Sequence, residues 1–310
     1  MRYSLVTLCG SYNLSKHWVW PCFESWKNAT NVDIDSYYLI PDAYLEEKDQ
    51  KDLEDFGFHV FNSQESKEKI ENTLNKYPSL KKLREDDLTW RKILDTCILL
   101  PDKGKIVLID SDVLVASPCV LPEGDFDICY MREDIPAYRA NWKIVWNEKM
   151  VPAFNAGLVI FDPATIDFSY LDFLSKQYFL QCKDYWWSEQ SAWACLAGKM
   201  DKRMLFDGRQ VRVLSGFKKR TVEEVINNKY NIFVNNDKIQ SFEEFKPFVD
   251  GSTIIHFAGL GKHWFTESEQ FLKESKKISE PVKIMANEEA TLSLREKLII
   301  GLRLFLKELK

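Results

Sequence analysis

Long apolar runs are missing from this chain. No stretch reaches the roughly 18 residues that cross a bilayer, which excludes an integral membrane helix. Glycine and proline are scarce, 12 and 11 among 310 residues, so a collagen-like or linker-dominated chain is excluded too. There is no positive excess: 42 Lys and Arg face 47 Asp and Glu, a net charge of −5, which argues against a nucleic-acid partner. No CxxC occurs, and the 7 cysteines are scattered and odd in number. They read as reduced, mostly buried thiols of a cytoplasmic protein. The opening run Ser4-Leu5-Val6-Thr7-Leu8 is too short for a secretory leader and reads as a first strand. Internal repeats and low-complexity linkers are absent.

What the chain has in surplus is aromatic side chains, 14% with 10 Trp, in a length sufficient to bury a large core. Residues 5–8 form a β-rich run closed by Cys9-Gly10-Ser11. A helix carrying Trp18, Phe23 and Trp26 follows, then a strand at 37–40, a charged surface helix at 44–56 and a short strand at 58–61. Helices are expected over 67–77 and 87–100, and a buried-type strand, apolar without alternation, over 105–109. Strands alternating with helices predict an α/β fold with helices on both faces of a mainly parallel sheet. Residues 121–150 read as irregular and aromatic. A strand at 158–161, helices at 170–179 and 188–197, mixed short strands and loops over 201–250, and a strand at 253–256 complete the chain. The simplest partition is a catalytic domain over 1–265 and a C-terminal helical tail over 266–310.

Asp-x-Asp occurs three times, and one instance has a distinctive setting. The apolar run 105–109 delivers Asp110-Ser111-Asp112 to the C-terminal end of a buried strand, where open α/β sheets bind ligands. Where extended backbone gives way to a turn, two such carboxylates can converge on a hard divalent cation, Mn²⁺ or Mg²⁺. Metal-dependent nucleotide-sugar transferases fit the segment. Haloacid-dehalogenase phosphohydrolases fit it less well, because Leu114 stands where they carry Thr or Val and no later Gly-Asp-x-x-x-Asp is found.

Three further segments carry chemistry. Phe154-Asn155-Ala156-Gly157 places an amide and a permissive glycine ahead of an apolar strand. Ser188-Glu189-Gln190 opens an apolar helix, with Ser188 as a suitable N-cap. His256-Phe257-Ala258-Gly259-Leu260-Gly261-Lys262-His263-Trp264 joins an imidazole to two glycines and a lysine able to neutralise phosphate.

Together these residues resemble glycosyltransferase family 8, the glycogenin-like and bacterial lipopolysaccharide galactosyltransferase-like enzymes. The similarity runs in order over roughly residues 3–265. It comprises Val6-Thr7-Leu8 with Tyr12, Trp90-Arg91, Leu108-Ile109-Asp110-Ser111-Asp112, Phe154-Asn155-Ala156-Gly157, Glu189-Gln190 and the His256 segment. The resemblance implies a GT-A fold and a metal-dependent retaining hexosyltransferase that moves sugar from a UDP-sugar donor to a saccharide or lipid-linked saccharide acceptor. A non-catalytic nucleotide-sugar-binding relative is the alternative. By the same resemblance Asp110, Asp112 and His256 hold the metal, and Lys262 and Gly259 meet the donor diphosphate. Leu8 and Tyr12 border the base, and Arg91 and Ser111 reach the donor. Asn155, Gly157, Glu189 and Gln190 surround the transferred sugar. Asp110 and Asp112, with Glu189 and Gln190, would carry the catalysis.

Tyr138, Trp142, Trp146, Trp186 and Trp187, in or near the irregular segments, are candidates to stack on an acceptor's sugar rings. In the tail, Leu294, Leu298, Leu302, Phe305 and Leu309 follow helical spacing, with five basic and two acidic residues from Arg295 onward. That pattern suits an amphipathic helix on an anionic membrane surface, and equally one packed on the core or on a second subunit.

Overall fold

The structure is a computed structural model that describes residues 3–28, 34–133, 137–218, 238–275 and 280–308. In chain order the strands are β1 (Tyr3–Leu8), β2 (Ile34–Ile40), β3 (Phe58–Val60), β4 (Ile106–Ile109), β5 (Val113–Val115), β6 (Cys119–Val120), β7 (Ile128–Arg132), β8 (Phe154–Phe161), β9 (Arg203–Phe206), β10 (Val211–Val213), β11 (Ile254–His256), β12 (Val282–Lys283) and β13 (Ala286–Glu288). Eight of them form the central sheet in the order β13-β9-β7-β8-β4-β1-β2-β3. β3, β2, β1 and β4 run parallel, β8 runs against β4 and β7, and β9 is again parallel to β7. A smaller sheet orders β10-β11-β5, and β12 pairs with β6.

The absence of alternation in the 105–109 run has a direct structural cause. Successive side chains of a strand point to opposite faces, and here both faces are covered. Ile106 and Leu108 of β4, with Val159 and Phe161 of β8, join the core on one face; Val107, Ile109, Leu158 and Ile160 join the core on the other. The first face is covered by the helices Arg91–Leu99 and Ser188–Lys199 among others, the second by Val19–Asn28 and Glu47–Phe56. Helix Ser188–Lys199 is buried from Ser188 to Gly198, because its flank packs on β8: Trp193 stacks on Phe154 and meets Phe161 edge-on.

Several sequence expectations need correcting. A helix at Pro78–Asp86, opened by proline at its first turn, was not anticipated. The helix expected from 87 begins at Arg91, after a 3₁₀ turn at Leu88–Trp90 capped by the Asp87 carboxylate. The segment 121–150 is not wholly irregular, since it contains β7 and a short helix at Ile144–Asn147. β8 starts at Phe154, so the Asn155–Gly157 motif lies inside the strand rather than before it.

The C-terminal segment is woven into the same architecture. β13 adds to one edge of the central sheet through β9, and helix Leu294–Glu308 packs Ile300, Gly301 and Leu304 inward, with Gly301 against Val145 and Trp146. Its apolar stripe Leu294, Leu298, Leu302 and Leu306 faces outward, at 49–69% exposure. Lys307 lies over the Trp187 ring and Arg303 is partly buried beside Glu133, so two of the basic residues serve the fold. Leu309 lies outside the described residues. Among the described residues no helix is long and apolar enough to cross a membrane.

Candidate functional site

The chain leaves the central sheet between Asp110 and Asp112. Asp110 follows the last residue of β4, and its N–H still donates to Gly157 O on β8 (2.9 Å). A tight turn, closed by Val113 N–H donating to Asp110 O, passes the backbone to β5. There Val113 sits opposite His256 of β11. Asp110 therefore flanks one sheet, Asp112 flanks the other, to which His256 belongs, and the seam brings all three together.

Three atoms converge at that seam. His256 Nε2 lies 3.6 Å from Asp110 Oδ2 and 3.3 Å from Asp112 Oδ1. One ligand atom from each residue fits within 4.8 Å of the others. The remaining carboxylate oxygens are held by lysines, Lys92 Nζ on Asp110 Oδ1 and Lys262 Nζ on Asp112 Oδ2, both at 2.5 Å. Each carboxylate is thus oriented by an ammonium on one oxygen and turns the other toward the imidazole. Asp112 Oδ1 is buried and, apart from the imidazole at 3.3 Å, has no hydrogen-bond partner. A buried acceptor without a donor is costly, and two carboxylate oxygens with one imidazole nitrogen are a donor set that suits Mn²⁺ or a similar divalent cation. The residues present fit a divalent cation.

The electrostatics follow from burial and neighbours. Burial alone would raise the Asp112 carboxyl, but His256 and Lys262 outweigh it and hold Asp112 well below the usual carboxylate range. Burial would likewise lower His256, yet Asp112 and then Asp110 raise it above its ordinary value. Burial lowers Lys92 as well, while Asp110 and Glu189 more than restore its charge.

Gly157 has a steric task. A Cβ on it would lie 2.1 Å from His256 Nδ1, so only glycine leaves room for the imidazole. The neighbouring Asn155 accepts from Gly157 N–H at 2.8 Å, and its Oδ1 lies 3.0 Å from His256 Nδ1. The β7–β8 ladder is interrupted at this point, its register jumping from Tyr130 opposite Val159 to Met131 opposite Asn155. Such irregularities re-aim side chains beside active sites.

Glu189 is 4% exposed in the first turn of the buried helix, with Trp193 Nε1 donating to its Oε1 at 2.7 Å. Burial pushes it up to about 7; Lys92 opposes the rise and Asp110 adds to it. Ser188 is not the N-cap expected of it. Trp187 occupies the cap with φ 74°, and the Ser188 hydroxyl accepts from the Trp90 indole at 2.8 Å. Gln190 Nε2 donates to Ala137 O at 3.0 Å.

The other expected residues are spread around the seam. Leu8 is buried at the end of β1, while Tyr12 is 74% exposed on a short turn, with Lys16 over its ring. Ser111 lies between the two carboxylates and meets the Cys9 thiol. Arg91 is partly buried and reaches Pro41 O at 3.4 Å, while its neighbour Lys92 is the cation on Asp110. Gly259 takes φ +54° in the 3₁₀ turn Gly259–Trp264 that carries Lys262. Tyr138 cannot stack on an acceptor: it is 1% exposed, with its hydroxyl bonded to Val151 O and Phe154 N–H. Trp186 stays open at 65% exposure and Trp146 at 41%. Trp142 packs edge-on against Phe305. The sequence reading missed Lys92, for which a second basic residue beside Arg91 was the available signal, and Glu133, whose Oε2 accepts from Asn155 Nδ2 at 2.7 Å.

No protein-family model matches the chain, and no curated protein matches it. Solved structures do. The chain is similar to the galactosyltransferase LgtC, solved with donor and acceptor sugar analogs, at 12% identity over 89% of this chain and 98% of that one, with a TM-score of 0.50. Mouse xyloside xylosyltransferase 1 is similar over 83% of this chain and 97% of its own, at 10% identity and a TM-score of 0.49. The fold is that of the GT-A glycosyltransferases, as the sequence resemblance implied.

Two outcomes follow from this geometry. Gly157→Ala should cost about 1–3 kcal/mol through overpacking, because the new methyl must push the His256 ring aside; an unchanged melting temperature would contradict the steric role. Glu189 has a folded value of about 7 above an ordinary 4.5, so the folded state holds its proton more tightly. The stability this contributes is complete below the lower value and is lost as pH rises through the higher one. Denaturant titrations should show that loss, on the order of 3 kcal/mol, and Glu189→Gln should remove it. Equal pH slopes in both proteins would refute the assignment.

Proposed function

We propose that the chain is a metal-dependent retaining glycosyltransferase that moves a hexose from a UDP-sugar to a saccharide or lipid-linked saccharide acceptor. The observation that carries this reading is the convergence of Asp110 Oδ2, Asp112 Oδ1 and His256 Nε2 beyond the C-terminal end of β4, where the central sheet of the GT-A fold meets the smaller one. Asp110, Asp112 and His256 would hold a Mn²⁺ or Mg²⁺ ion, which when bound supplies Lewis-acid stabilisation of the departing diphosphate. Lys262 lies beside Asp112 on a glycine-bearing turn where a side chain added at Gly259 would enter open space, and it adds positive charge for the diphosphate. Lys92 balances Asp110 and keeps the carboxylate in place.

The sugar's anomeric carbon becomes electron-poor as its bond to the diphosphate oxygen breaks. The acceptor hydroxyl attacks on the face the diphosphate vacates, and the leaving phosphate oxygen takes the hydroxyl proton, so no strong protein base is required. Glu189, buried and close to Lys92 and Asp110, and Gln190 beside it would steady the positive charge on the sugar. Of the five aromatic candidates, Trp186 and Trp146 are the ones exposed enough to meet an acceptor ring.

Metal-dependent hydrolysis of a panel of UDP-sugars tests the reading. Asp110→Ala and Asp112→Ala should each lower turnover by on the order of 10²–10³-fold while leaving the fold intact. Unchanged turnover in both would overturn the scheme, and UDP binding without turnover in the unaltered chain would make it a binder instead. The outward stripe Leu294, Leu298, Leu302 and Leu306 supports a lipid-surface contact near the acceptor, resting on apolar area more than on charge. The full chain should co-sediment with anionic liposomes and the Leu298→Glu/Leu302→Glu variant should not; equal sedimentation would refute the contact.

A further inference from the structure

An imidazole ligates a metal only through a nitrogen that carries no proton, so the tautomer of His256 decides whether Nε2 is available. That tautomer is set by what Nδ1 meets. Nδ1 meets Asn155 Oδ1 at 3.0 Å. A carboxamide, however, has an accepting end and a donating end that exchange on a flip, and only the accepting end calls for a proton on Nδ1.

Two outer partners hold the amide in one sense. Gly157 N–H can only donate, and it meets Asn155 Oδ1 at 2.8 Å. The Glu133 carboxylate can only accept, and its Oε2 takes the Asn155 Nδ2 proton at 2.7 Å. A flip would set donor against donor at Gly157 and acceptor against acceptor at Glu133. The carboxylate bond is the charge-assisted one and the stronger of the two.

Glu133 is itself fixed. It follows β7, and its N–H donates to Ala153 O at 2.9 Å. Arg132, just before it, pairs with Glu289, and Arg303 of the C-terminal helix lies alongside. The hydrogen bonds that link Glu133 to Asn155 and Asn155 to His256 lie beside the jump in the β7–β8 register.

We propose that Glu133 is a positioning residue: through Asn155 it fixes the His256 tautomer that leaves Nε2 free, and it thereby sets the affinity of the Asp110–Asp112–His256 site for a divalent cation. This rests on the metal-site reading above. Partners one step removed from the metal are typically worth 10–100-fold in affinity.

Calorimetric titration of Mn²⁺ into the full chain tests it, without nucleotide and with the melting temperature followed in parallel. Glu133→Ala should weaken Mn²⁺ binding about tenfold while the fold persists. In an Asn155→Ala background the same substitution should have no further effect, because its route is gone. Unchanged affinity in Glu133→Ala, or an equal loss in both backgrounds, would overturn the proposal. Failure of the unaltered chain to bind Mn²⁺ at all would instead overturn the metal-site reading on which it rests.

Discussion

The close contact between the His256 ring and the bare backbone of Gly157 is the constraint on which the site depends. It lets a side chain from the small sheet reach the middle strands of the large one, at the place where β4 and β8 end their pairing. Without that approach, Asp110 would sit on one sheet and the Asp112–His256 pair on another, with no shared focus. Backbone bonds on both sides hold the arrangement: Phe257 N–H on Asp112 O at 3.0 Å, Leu214 N–H on His256 O at 2.8 Å, and Asp110 N–H on Gly157 O.

Charge is arranged around the same point so that burial is tolerated. An ionised carboxylate removed from water needs partners, and each carboxylate here has a lysine on one oxygen. The inward oxygens have the imidazole, and Asp112 Oδ1 otherwise lacks a donor. A cation would complete what the imidazole only partly satisfies. Glu189 lies in a drier setting, in the first turn of a helix buried over most of its length, so its proton is held far above the usual carboxylate range. One carboxylate is kept charged, and another close by titrates at about 7.

Much of this was legible in the sequence because the signals were local. The unalternating run before Asp110 marked a strand covered on both faces, and the strand-end setting singled out one Asp-x-Asp of three. His256, Gly259 and Lys262 could be grouped because they share one turn. What could not be read was lateral. Lys92 reaches Asp110 across a helix–strand contact, and Glu133 reaches Asn155 across a break in strand register; neither spacing is encoded along the chain. Gly157 was found, but as a residue for a ligand, whereas its first task is to make room for a histidine nearly a hundred positions away. Tyr138 shows the opposite error, since aromatic character suggested a surface platform where the fold needed a buried hydroxyl.

The C-terminal segment 266–310, expected as a helical tail on a membrane, on the core or on a second subunit, places β13 on the central sheet and Ile300 and Leu304 in the core. Only its outer stripe remains for other surfaces. The central claim, that Asp110, Asp112 and His256 together hold the cation that a nucleotide diphosphate then meets, is most directly tested by electron paramagnetic resonance of Mn²⁺ titrated into the chain with and without UDP. One Mn²⁺ per chain should leave the free-ion signal, more tightly when UDP is present. A free-ion signal unaltered by the folded chain under both conditions would contradict it.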